Sequence, residues 1–195
     1  MQRLVLTSTL LLLGAQSAAA QEPPEARLDF PVIGRVPQLC ILGAPEISST
    51  GGSVNVLSLS SNLLRIEQLT NPETLSTEAT RAEVALPAVC NASHRVSVSS
   101  RNNGLWRGTA SEDAPDGFAS AVPYRATVEW GDERVTLLAN AGMRVESNAQ
   151  LSSSAEAGRL LLVLDILPGE TNTLQQAPLV AGIYTDTLTI TVEPE

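Results

Sequence analysis

The sequence predicts an all-β, antiparallel sandwich, and three observations carry that prediction. Apolar and polar residues alternate with period two over most of the chain, which sends successive side chains to opposite faces of a strand. Turn-forming groups punctuate these runs at Gly51-Gly52, Asn71-Pro72, Asn102-Asn103-Gly104, Gly131-Asp132 and Pro168-Gly169. Helical signals are few: Leu63, Leu64 and Ile66 crowd together between Asn62 and Gln68, but no capped stretch with a 3.6-residue period follows. Short strands separated by turns point to a sandwich of immunoglobulin-like type rather than to alternating α/β units.

The first twenty residues read as an export signal. Arg3 is the positive start, Leu4 to Ala15 is apolar, and Ala18, Ala19 and Ala20 offer a small-residue cleavage site after Ala20. The apolar run is interrupted by Thr7, Ser8 and Thr9 and falls short of the roughly 20 residues a spanning helix needs. The best later run, Leu160 to Leu167, contains Asp165, so no transmembrane segment is expected after cleavage. Arg3 is the only charged residue in 1–20, so its loss would take the 195-residue chain at net charge −9 to 175 residues at −10.

That charge excludes some functions. All twelve basic residues are Arg, set against 21 Asp and Glu, and an acidic surface repels nucleic-acid phosphates. One His and two Cys are too few for a His/Cys metal cluster. His94 is the only candidate base for a Ser-His-Asp triad, is expected to be partly exposed and uninvolved, and no G-x-S-x-G surrounds any serine. Asn91-Ala92-Ser93 matches the glycosylation acceptor pattern by composition only. Asp113-Ala114-Pro115-Asp116-Gly117 misses the calcium-loop spacing and reads as a solvated loop. The chain is therefore expected to be a non-enzyme with no cofactor and no metal. Trp106, Trp130, Tyr124 and Tyr184 are expected in core or groove packing.

Residues 21–36 form an extension ahead of the domain at 37–195. Gln21 to Ala26 is polar and proline-rich; then Leu28, Phe30, Val32, Gly34 and Val36 alternate with Asp29, Pro31, Ile33 and Arg35. This apolar row fits two roles. It can be an edge strand of its own sandwich, where Pro31 is tolerated, or a donor strand that completes the sheet of a neighbouring molecule. In an exported, oxidising setting Cys40 and Cys90 read as one disulfide, worth about 3 to 4 kcal/mol by chain-entropy arguments for a loop of roughly fifty residues.

The strand runs follow in order at Val54 to Leu59, Glu83 to Val89, Arg95 to Ser100, Tyr124 to Trp130, Val135 to Ala139 and Arg159 to Ile166. Gly108 to Ala121 reads as an acidic loop and Ser147 to Gly158 as a polar one. The last strand is the clearest. Tyr184, Asp186, Leu188, Ile190 and Val192 share one face, and Thr185, Thr187, Thr189 and Thr191 the other. An apolar strand with only Glu193, Pro194 and Glu195 beyond it has no following strand to cover its edge, and such an edge must be covered by something.

The ending Ala181-Gly182-Ile183-Tyr184-Thr185-Asp186-Thr187-Leu188-Thr189-Ile190-Thr191-Val192 resembles the terminal strand of the spore coat protein U domain family, which includes the archaic, Csu-type chaperone-usher pilins. Similar stretches surround Cys40 (Val36 to Leu42), run from Val89-Cys90-Asn91 to Asn103-Gly104-Leu105, and cover Tyr124 to Asp132. The resemblance extends from about Val32 to Val192. It implies an incomplete immunoglobulin-like fold lacking its last strand, held by a periplasmic chaperone and polymerised with neighbouring pilin subunits at an outer-membrane usher. On that pattern Cys40 and Cys90 are the family disulfide, and Leu28, Phe30, Val32, Gly34 and Val36 are the donor strand. Tyr184, Leu188, Ile190 and Val192 line the acceptor groove. Pro23, Pro24 and Pro31, and the loop at 108–121, depart from the pattern. The expected function is thus a secreted pilin-like subunit of a surface fibre serving biofilm or adhesion. The alternative is a monomeric, self-complemented binding module or coat protein.

Overall fold

The computed structural model describes residues 27–47, 52–60, 62–108 and 114–195. The export signal at 1–20, the polar start of the extension and the acids of 109–113 lie outside the described residues. The chain divides into two units, Met1–Arg35 and Val36–Glu195. In the first, residues 27–35 carry no strand, and Arg27 Nε pairs with Asp29 Oδ1 at 3.0 Å in solvent.

The second unit is all-β and antiparallel, with fourteen strands and no helix among its described residues. The larger sheet has the order β1-β5-β12-β9-β10, from β1 (Cys40–Leu42), β5 (Thr80–Cys90), β12 (Glu156–Ile166), β9 (Tyr124–Trp130) and β10 (Glu133–Ala139). The short β2 (Glu46–Ile47) continues the β1 edge on β5. The smaller sheet has the order β11-β6-β14, from β11 (Ser147–Ser153), β6 (His94–Ser100) and β14 (Leu188–Pro194). A third, of β13 (Tyr184–Thr185), β7 (Leu105–Arg107) and β8 (Ala121–Val122), closes one end. The hairpin β3 (Val56–Ser60) with β4 (Leu63–Ile66) is a separate two-stranded sheet beside β5, with Ile66 packed against the core.

Period-two patterning accounts for the two main layers. Ala126, Val128 and Trp130 of β9, Val135, Leu137 and Ala139 of β10, and Leu160 of β12 point inward from one sheet, and Val96 and Val98 of β6 meet them from the other in one core cluster. The β9–β10 turn needs Gly131: its φ is +60°, and a Cβ there would come within 2.8 Å of Glu156 Oε2.

Several expectations need correction. Ser147 to Gly158 is not a loop but the whole of β11 and the start of β12. The less exposed row of β11 is Ser147, Ala149, Leu151 and Ser153, in which only Ala149 and Leu151 are apolar, too thin a signal to read as a strand. The crowded leucines at 63–66 form strand β4, and the loop after Gly108 gives way to β8 at Ala121, with Ala119 already fully buried. The terminal strand is interrupted: Tyr184 lies on β13, and Leu188, Ile190 and Val192 lie on β14. His94 is fully buried rather than partly exposed. Its backbone pairs with Ser153 and Pro194, and its ring lies 4.6 Å from that of Trp130. Trp106, Trp130 and Tyr124 are buried, as expected of packing residues.

Candidate functional site: an open edge and an unpaired arm

The two sides of the sandwich differ. On one, β10 and β11 pack against each other and close it. On the other, β14 and the three-residue β1 also approach each other, but over a shorter stretch, and β14 is bonded only to β6. Between them Leu42, Leu188, Ile190 and Val192 are only half-buried yet pack against the core cluster. One row of main-chain groups along β14 faces no strand among the described residues. Seven residues of β14 at about 3.3 Å each make this an edge of roughly 23 Å.

The interruption between β13 and β14 fixes where that edge begins, and Asp186 makes it. Its Oδ1 accepts hydrogen bonds from the backbone N–H of Asn102 (3.0 Å) and Thr187 (2.7 Å), and its Oδ2 accepts from the Ser100 hydroxyl and from the Tyr124 phenol at 2.7 Å. Ser100 and Tyr124 are both buried, so the carboxylate satisfies two hydroxyls that would otherwise be stranded. At the other end of β14, Glu195 Oε1 accepts from Arg95 Nη2 at 2.8 Å and from Ser152 Oγ at 2.7 Å, tying the strand end to β6 and, beyond it, to β11. These bonds hold the Glu195 carboxyl below its usual pKa, the Ser152 contact contributing most.

Burial pushes the Tyr124 phenol far above its ordinary pKa; the Ser100 hydroxyl opposes this, and Asp186 adds to it. Burial also raises Tyr184, whose hydroxyl donates to Val180 O at 2.7 Å, with Arg107 opposing it. A raised tyrosine pKa favours the fold fully below the unfolded value near 10, and that advantage is lost as pH rises through the folded value. Stability is therefore expected to fall above pH 10, by about 1.4 kcal/mol per pH unit for Tyr124 while it stays protonated in the fold. Denaturant midpoints measured from pH 9 to 11 check this, and Tyr124→Phe is expected to flatten the slope.

The sequence-derived residues fall into three places. Cys40 and Cys90 form a disulfide between directly paired positions of β1 and β5, with Cα atoms 4.1 Å apart. Leu188, Ile190 and Val192 line the open edge, and Tyr184 packs against the same core from β13. Leu28, Phe30, Val32, Gly34 and Val36 belong to no strand, and the four side chains among them are at least 74% exposed. Sequence reasoning missed Asp186 as a fastener, because a carboxylate inside an alternating run reads only as one more position on a face. Among the described residues no group of three or more His, Cys, Asp or Glu is placed to hold a metal ion. In comparisons with known proteins, no family model and no curated protein matches the chain.

Proposed function

We propose that the chain is an exported structural subunit that polymerises head to tail, its residues 28–36 entering the open edge beside β14 of the next copy. The observation that carries this reading is a pairing of deficits within one chain. Among the described residues, a row of four exposed apolar side chains at period two has no strand to join, and an apolar edge has no strand bonded along it. Each deficit alone is an aggregation hazard; together they are complementary. Burying Leu28, Phe30, Val32 and Val36 contributes about 1.5 to 3 kcal/mol each, and main-chain bonds along the edge add to that. The contact is heterologous and does not close on itself, so it builds fibres.

The resemblance to the spore coat protein U domain family supports the setting of the proposal: a periplasmic chaperone that shields the open edge in transit, an outer-membrane usher where exchange occurs, and a surface fibre as product. Deleting residues 21–36 tests it. With a chaperone and usher present, the full chain is expected to give SDS-resistant polymers and the truncated chain none. Polymers from the truncated chain would overturn the donor role of residues 28–36, and a soluble heat-cooperative monomer of the full chain in sedimentation would instead support a self-contained module.

A further inference from the structure

The sequence Asn91-Ala92-Ser93 directly follows the disulfide, and its asparagine is committed to other chemistry than modification. Asn91 Oδ1 accepts the backbone N–H of Leu39 at 2.8 Å, and Asn91 Nδ2 donates to Pro37 O at 2.8 Å. The Asn91 backbone N–H donates to Leu39 O at 3.1 Å. Residues 37–39 are not a strand, yet Asn91 holds them by three bonds as a β-ladder would, immediately before Cys40 begins β1. The side-chain amide supplies both donor and acceptor, the one chemistry that extends a ladder past its last residue. The disulfide then fixes Cys40 to Cys90, the residue before Asn91.

Pro37 stiffens the same point. Its ring fixes its own φ, and it confines Val36 to extended backbone. Val36 is the last residue of the apolar row, so the row runs into the held residues 37–39 with no linker residue between them. We infer that Asn91 is a positioning residue that makes residues 37–39 a rigid root for the arm, so that successive subunits meet at a fixed angle instead of swinging on a linker. The inference rests on the donor-strand reading for its consequence in the fibre, whereas the rigid root itself is a property of the single chain.

Two measurements separate the two. In the full chain, hydrogen exchange at the Leu39 amide is expected to be strongly protected and to become fast in Asn91→Ala; a Leu39 amide that exchanges freely in the wild type overturns the rigid root whatever the chain assembles into. In electron micrographs of polymers formed with chaperone and usher, the wild type is expected to show a narrow distribution of angles between subunits and Asn91→Ala a several-fold broader one. Because Asn91→Ala could weaken β1, a second variant carries two glycines inserted between Val36 and Pro37, leaving the Asn91 bonds intact; it is expected to broaden the angles equally. Equal angle distributions in all three polymers overturn the fixed joint while leaving polymerisation by the arm in place. Failure of the wild type to polymerise overturns the donor-strand reading and the fixed joint with it.

Discussion

A chain lacking residues 21–36 and a full chain carrying Ile190→Asp are each expected to remain monomeric alone and to form a dimer when refolded together, with no growth beyond two. The first keeps an open edge and has no arm. The second keeps an arm, but a carboxylate now sits in the middle of its apolar edge, where any incoming strand would have to desolvate it at a cost of several kcal/mol. Every 1.4 kcal/mol is tenfold in affinity, so the loss of acceptance is expected to be complete at micromolar protein. Size-exclusion chromatography with light scattering reads the outcome. Higher polymers in the mixture, or polymers of the Ile190→Asp chain alone, would show that subunits join by some other surface.

Asp186→Ala is expected to be among the most destabilising single substitutions, at about 3 to 4 kcal/mol in denaturant unfolding. The carboxylate accepts four hydrogen bonds, two from backbone N–H groups and two from the buried Ser100 and Tyr124 hydroxyls. Removing it leaves those two hydroxyls unsatisfied at about 1 to 3 kcal/mol each. Asp186→Asn keeps the shape and half the acceptor capacity and is expected to cost less. A loss below about 1 kcal/mol for alanine would mean that water replaces the carboxylate and that β14 is fixed from its other end.

Apart from Val54 to Leu59, which falls on the hairpin strand β3, and the terminal run on β13 and β14, the period-two runs read from sequence lie in the larger sheet and the centre of the smaller one, because strands such as β9 and β10 bury one face completely and so alternate cleanly. Elements that bury little left weak traces. In β11 the inner row is Ala149 and Leu151 among serines, and in β1 it is two residues. His94 was illegible for a different reason. Burial of a lone imidazole depends on what lies across the sandwich, here Trp130, and Trp130 is thirty-six positions away. The break at Asp186 was hidden by the alternation itself, since the residue sits on the expected face and only its partners in β6 and β9 reveal that it ends one strand and starts another. Asn91 shows the opposite case: a pattern visible in the sequence, whose bonds to Pro37 and Leu39 give it a structural task that the pattern does not name.

The one-sided opening of the sandwich has a consequence for any assembly in which arm and edge are paired. Each copy contributes one of each, so a row of copies always carries a vacant edge at one end and an unused arm at the other. Such an assembly is polar: its ends are chemically different, it lengthens without branching, and a protein that recognises one end is blind to the other. Termination at the vacant edge calls for a strand with no edge of its own to offer, and termination at the free arm calls for an edge with no arm.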